Sequence, residues 1–138
     1  IHSRSYLLSK YKKIKIYLVS PKALKVGDHI KEYLDKHNVA YQETENLDEI
    51  LNKVDVLYQT RIQKERFKTE KEYKKYKGCY QIDNSTLNKM REDAIIMHPL
   101  PRVDEIKVEV DASPRAVYFK QAKYGLLVRM ALLKLALK

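Results

Sequence analysis

Short apolar runs alternate along this chain with stretches whose apolar positions recur every three or four residues. Lys13 to Val19 alternates, turns fully apolar and stops at Ser20-Pro21, which predicts a strand. Ile30, Tyr33 and Leu34 recur at helical spacing within Gly27 to His37 and predict a helix. Val39 to Gln42 reads as a second strand. Asn46 and Glu49, three apart ahead of Ile50 and Leu51, form a capping-box arrangement that starts another helix. Val54 to Tyr58 is a third strand, Tyr80 to Ile82 a fourth and Ile95 to Met97 a fifth, with Asp83 or Asn84 capping a short helix through Met90. His2 to Tyr11 reads as a helix or the last part of one. Arg115 to Leu137 reads as one long helix with an apolar stripe of Phe119, Ala122, Leu126, Met130, Leu133 and Leu137. Gly125 inside it costs ~1 kcal/mol relative to Ala, so a kink or a close contact is expected there.

Strands and helices in alternation, joined by a few residues, imply right-handed crossovers. The fold class expected is α/β, a doubly wound, Rossmann-like parallel sheet flanked by helices and ending in a long helix. The 138 residues make one domain, 1–138, with enough length to bury roughly two-thirds of the unfolded surface. The chain does not begin with Met and reads as cut from something longer; it carries no run near the ~20 apolar residues of a membrane span. A soluble, cytoplasmic protein is expected, with organelle targeting upstream left open. Cys79 is the single cysteine, so an internal disulfide is impossible and an inert thiol is its expected role.

The net charge of +10 admits nucleic acid, anionic membrane or small anionic substrates as partners. The lysines are scattered and mixed with acids, as on a solvated surface. No RNA-recognition pattern with interleaved aromatics occurs, nor paired Cys and His at zinc spacing. Neither nucleic acid nor membrane is therefore expected as a partner, and no metal or cofactor.

The stretch Ala94 to Glu105 carries the most chemistry. Ile95, Ile96 and Met97 make a buried strand that must stop at His98, because Pro99 and Pro101 cannot continue a ladder. His98 and Leu100, each preceding a proline, are pushed toward extended geometry, and this fixes the direction of the Leu100 carbonyl. Ligands of open α/β sheets bind outside the carboxyl ends of such strands, although a plain proline-rich turn is the simpler reading. His98, at the end of an apolar strand beside proline, reads as a structural, hydrogen-bonded histidine and is left out of catalysis. Arg61 and Gln63 follow the third strand two residues apart, so in extended chain both point to one side. Arg grips a carboxylate through two parallel hydrogen bonds and Gln adds a neutral donor and acceptor; a surface ion pair is the plainer role for Arg61. Lys64 to Lys77 is nearly all charged and aromatic and cannot pack a core, which leaves a mobile solvated loop or a closing lid.

His-Pro-Leu-Pro-Arg-Val-Asp-Glu at 98–105 and Asp-Val-Leu-Tyr-Gln-Thr-Arg-Ile-Gln-Lys-Glu-Arg at 55–66 resemble the aspartate-binding half of the aspartate carbamoyltransferases. The resemblance continues through Val110-Asp111 and Tyr118-Phe119-Lys120-Gln121-Ala122 to Leu137, so it spans essentially the whole chain. Pro99 stands where ornithine-specific relatives commonly have Cys, which favours aspartate. The resemblance implies transfer of the carbamoyl group of carbamoyl phosphate to the amine of L-aspartate, in pyrimidine synthesis. Arg61 and Gln63 would bind aspartate, and the bend Pro99, Leu100 and Pro101 would bind carbamoyl phosphate through main-chain carbonyls, with a cis Leu100–Pro101 bond. Lys64, Glu65 and Arg66 would form interdomain salt bridges in a closed state, and Tyr73 would pair with Asp104 in an open one. It also implies a separate amino-terminal carbamoyl phosphate domain, an Arg-Thr pair directly before Ile1, docking of the last helix on that other domain, and a homotrimer. No catalytic residue is assigned to these 138 residues, which alone should be inactive. Two other readings compete: a non-catalytic basic binding or assembly module of the same fold, and ornithine-type carbamoyl transfer.

Overall fold

The computed structural model describes residues 2–62, 67 and 69–137. They form two compact units, Ile1–Ile50 and Leu51–Lys138.

In the first unit, helix α1 (His2–Leu8) precedes strand β1 (Lys15–Val19), helix α2 (Asp28–Lys36) and strand β2 (Ala40–Thr44). β1 and β2 pair in parallel from Lys15 opposite Ala40 to Val19 opposite Thr44, with α2 as the crossover that parallel neighbours require. Ile30 and Leu34 lie four apart, so both face the sheet. They are fully buried with Val39 against Ile16, Val26 and Tyr41. The end of α2 explains how the chain turns there. Asn38 takes the left-handed conformation at φ +54°, which its short polar side chain tolerates. The Val39 and Asn38 N–H groups then close back on the Leu34 and Asp35 carbonyls, each at 3.0 Å. This is a Schellman motif, and its accompanying apolar contact is the buried pair Leu34 and Val39.

The helix expected after Asn46 does not form; residues 48–53 are turns. A capping box needs Glu49 to reach the Asn46 N–H. That N–H instead donates to Thr44 Oγ1 at 3.1 Å, and the Glu49 carboxylate accepts from the Thr44 hydroxyl at 2.9 Å. Asn46 Oδ1 takes the Asp48 N–H at 3.1 Å. Local side-chain bonds beginning two residues upstream therefore outcompete the helix.

In the second unit, β3 (Val56–Tyr58) pairs in parallel with β4 (Ile95–Met97), Val56 opposite Ile95 and Tyr58 opposite Met97. The α/β class with parallel strands and a long final helix is thus observed, as two two-stranded sheets among the described residues. The strand expected at 80–82 shrinks to one parallel bridge, Ile82 with Ile106. Cys79 and Tyr80 sit in a bend directly before it, and the helix starting at Asn84 follows at once, which leaves no length for a ladder.

Helix α3 (Glu70–Tyr76) occupies the charged run read as a loop or lid. The Thr69 hydroxyl accepts the Glu72 N–H, acids fill the first turn, and Lys74 and Lys75 fill the last. That polarity matches the helix dipole, so capping and charge order a segment that buries none of its residues. Helix α4 (Asn84–Lys89) begins in a capping box in which Asp83, not Asn84, is the cap. Asp83 Oδ1 accepts the Thr86 N–H at 2.9 Å, and the Thr86 hydroxyl takes the Asp83 N–H. Hydrogen bonds from Ser85 and Thr86 hold the Asp83 carboxyl below the usual carboxylate range. Asp83→Ala is expected to lower stability by about 1 kcal/mol, measured by urea unfolding at neutral pH. An unchanged midpoint would remove the box from the account.

The long helix α5 runs from Tyr118 to Ala136, three residues later than expected at its start. Arg115 is diverted, because its guanidinium donates to the Leu87 and Arg91 carbonyls at 2.9 and 3.0 Å, at and just beyond the end of α4. Gly125 does not mark a close approach. Among the described residues a Cβ there would meet only Arg129 Nη1, at an ordinary 3.6 Å, and the helix runs unbroken through it. Tyr118 is buried at the start of α5, whereas Leu126, Leu127, Val128, Met130, Leu132, Leu133 and Leu135 are all exposed. No helix among the described residues is long and apolar enough to cross a membrane.

Candidate functional site at the carboxyl ends of β3 and β4

Because β3 and β4 are parallel neighbours, the segments leaving Tyr58 and Met97 emerge at one edge. The Gln59 N–H donates to the Met97 carbonyl at 2.9 Å, and Gln59 Nε2 donates to the Tyr80 carbonyl at 2.9 Å. A cavity of about 110 Å³ opens beside them. Arg61 and Thr60 line it from the chain leaving β3, Tyr73 and Lys77 from α3 and its end, and Asp104 and Glu105 from beyond the bend. Lys77 Nζ lies 3.4 Å from the Asp104 carboxylate. Tyr73, on the same cavity wall as Asp104, packs edge-on against Phe67.

The bend at the end of β4 is held from several directions. The Leu100–Pro101 bond is cis, as expected, and Leu100 has φ +47°, a left-handed conformation unfavourable for a branched side chain by roughly 1–2 kcal/mol. This departs from the extended geometry expected of a residue before proline. Gln121 Oε1 accepts the His98 N–H at 3.0 Å, while Gln121 Nε2 donates to the Tyr58 hydroxyl at 2.8 Å. His98 is buried, with 1% exposure. Its Nδ1 accepts the Leu100 N–H at 2.8 Å, and its Nε2 lies 2.7 Å from Glu105 Oε1. The second Glu105 oxygen accepts the N–H groups of Val103 and Asp104 at 3.1 and 3.2 Å. The structural reading of His98 is therefore the observed one, since both ring nitrogens are engaged with the protein.

Arg102, next along, turns away from the cavity. Its guanidinium meets both oxygens of Asp111, and the Tyr118 hydroxyl donates to the same carboxylate. The bond to Arg102 holds the Asp111 carboxyl below its usual range. Burial, reinforced by the Asp111 charge, pushes the Tyr118 phenol up to about 12. A raised folded value means that this contribution is complete below the ordinary tyrosine value of ~10 and fades as pH rises from there toward about 12. Stability should accordingly fall across that window, and Tyr118→Phe should flatten the fall; equal slopes in denaturation followed against pH would contradict it.

Arg61 and Asp104 are thus brought into one cavity with Tyr73, while Pro99, Leu100 and Pro101 stand at the end of the neighbouring strand and do not line it. Gln63, Lys64, Glu65 and Arg66 lie outside the described residues. Desolvation pushes the Cys79 thiol pKa up, although the residue as a whole is exposed. Among the described residues no group of His, Cys, Asp and Glu is arranged to hold a metal. Sequence reasoning missed Glu105, Lys77 and Gln121. Glu105 stood within the quoted motif, but its seven-residue separation from His98 matches neither helical nor strand period.

The family model for the Asp/Orn binding domain of aspartate/ornithine carbamoyltransferases matches residues 1–136. The chain belongs to this family. Among curated members, aspartate carbamoyltransferase 2 of Pisum sativum, named as chloroplastic, is 54% identical over 138 residues, covering 99% of this chain and 36% of the relative. The catalytic subunit of M. jannaschii aspartate transcarbamoylase superposes with a TM-score of 0.87 at 50% identity over 96% of this chain and 44% of that one. A carbamoyltransferase of Trypanosoma cruzi, solved in complex with carbamoyl phosphate and aspartate, gives a TM-score of 0.81 at 39% identity, again over 96% of this chain and 44% of the other. The chain therefore spans well under half the length of the carbamoyltransferases it matches. These relatives are named for aspartate.

Proposed function

We propose that this chain is the aspartate-binding half of an aspartate carbamoyltransferase, which joins the carbamoyl group of carbamoyl phosphate to the amine of L-aspartate in pyrimidine synthesis. The observation that carries the proposal is the common edge of β3 and β4. Arg61 leaves one strand end and the proline bend leaves the other, with Gln59 bonded to Met97 between them. Both substrates are anions, so the reaction needs fixed cations, a fixed acceptor for the carbamoyl amino group and an unprotonated attacking amine. Arg61 takes an aspartate carboxylate, with Gln63 beside it in sequence. The main-chain carbonyls of the bend, Leu100 foremost, receive the amino group of carbamoyl phosphate between Pro99 and Pro101. A carbon–nitrogen bond forms as the carbon–oxygen bond to phosphate breaks. Lys64, Glu65, Arg66, Tyr73 and Asp104 serve closure of this domain on an amino-terminal one that grips the phosphate. The assembled enzyme is a cytoplasmic homotrimer in this reading.

The test is turnover. The complete enzyme is expected to form carbamoyl aspartate and to leave ornithine unmodified, whereas the purified 138-residue chain is expected to form neither product. Preference for ornithine, or appreciable turnover by the chain alone, would each refute part of the proposal.

A further inference from the structure

We propose that His98 and Glu105 are positioning residues for the carbamoyl donor, acting through the main chain of Leu100. This rests on the reading of the bend as the seat of carbamoyl phosphate. Leu100 N–H points at His98 Nδ1 at 2.8 Å, so that nitrogen must carry its lone pair and the ring proton must sit on Nε2. Nε2–H then donates to Glu105 Oε1 at 2.7 Å. A doubly protonated ring would set two donors against each other at Leu100, so the ring here is neutral.

Glu105 closes the relay, because a carboxylate only accepts. Its other oxygen already takes the Val103 and Asp104 N–H groups, the main chain just past the bend. An amide at this position cannot serve both sides. If its oxygen faces the two backbone donors, its NH₂ faces Nε2, and the ring proton must move to Nδ1, where it breaks the bond to Leu100. If its oxygen faces the ring, its NH₂ opposes the two backbone donors. Both side chains are buried, at 0% and 8% exposure, so water does not repair the loss. The relay thus holds Leu100 in its left-handed conformation and with it the direction of the carbonyl that faces the donor.

Two variants separate this from a role in packing alone. Asn at 98 offers a side-chain oxygen close to where Nδ1 stands and accepts the N–H two residues on; Leu fills the space and accepts nothing. Both sever the link to Glu105, so both should lower the melting temperature. In the complete enzyme His98→Leu is expected to raise KM for carbamoyl phosphate about tenfold and to lower kcat, with KM for aspartate changed far less. His98→Asn should recover most of that loss, to within about threefold of the unsubstituted enzyme. Equal carbamoyl phosphate KM values for the two variants would overturn the proposal.

A second measurement needs neither activity nor a folded variant. Long-range ¹H–¹⁵N spectra of the unsubstituted chain, labelled at its four histidines, should show His98 protonated at Nε2 alone. An Nδ1 proton or a charged ring would overturn the relay. If the complete enzyme does not carbamoylate aspartate, the functional reading fails by itself, and these spectra still decide the relay.

Discussion

Arg61→Ala in the complete enzyme is expected to raise the aspartate concentration for half-maximal velocity by about 100-fold, with a much smaller change for carbamoyl phosphate. A charge-assisted hydrogen bond is worth roughly 1.5–3 kcal/mol, and a guanidinium on a carboxylate makes two of them at fixed angles. Arg61 is exposed at the mouth of the cavity, so its removal should shift folding stability by no more than about 0.5 kcal/mol. Lysine should not rescue it, because a point charge does not reproduce the fork. Steady-state kinetics against each substrate, beside melting curves, gives the answer. An aspartate dependence within twofold of the unsubstituted enzyme would remove Arg61 from the site.

The largest effect on stability should come from Asp111→Ala, a loss of roughly 3 kcal/mol measured by urea unfolding. This carboxylate is shared by the guanidinium of Arg102 and the hydroxyl of Tyr118, at the point where α5 begins. Its deletion leaves a half-shielded cation unpaired and weakens the bonding of a buried phenol. The figure lies below that of a fully buried pair because Arg102 and Asp111 keep 17% and 27% exposure. The dependence on acid follows from the lowered value of Asp111: its stabilisation is present above the unfolded carboxyl value of ~3.9 and is lost as pH falls through the lower folded value. The variant should therefore show a shallower acid limb. A loss under about 1 kcal/mol would mean that solvent already screens the pair.

The elements legible from the chain were those decided by short-range pattern. Apolar runs located the four strands among the described residues, and Ile30 with Leu34 located α2. Two of the departures come from side chains with two possible jobs. Asn46 is a good cap and an equally good turn former, and Thr44 tipped it toward the turn. Arg115 is a good helix former, yet its fork found the carbonyls of Leu87 and Arg91, some two dozen residues away in sequence. For the site, motif resemblance picked out Arg61 and the proline bend. Nothing in spacing linked His98 to Glu105 or Gln121 to Tyr58, because these bonds depend on where the strands end in space.

The last three turns of α5 carry a further consequence. Leucine, valine and methionine there point in every direction around the axis, so rotating the rod cannot hide them. Handled without a companion, such a tail behaves as a detergent does: it should bind fluorescent apolar dyes, adsorb to plastic and air–water interfaces, and cluster above a threshold concentration. Sulfate and warming should drive this clustering, and cold buffer with little salt should keep the chains dispersed.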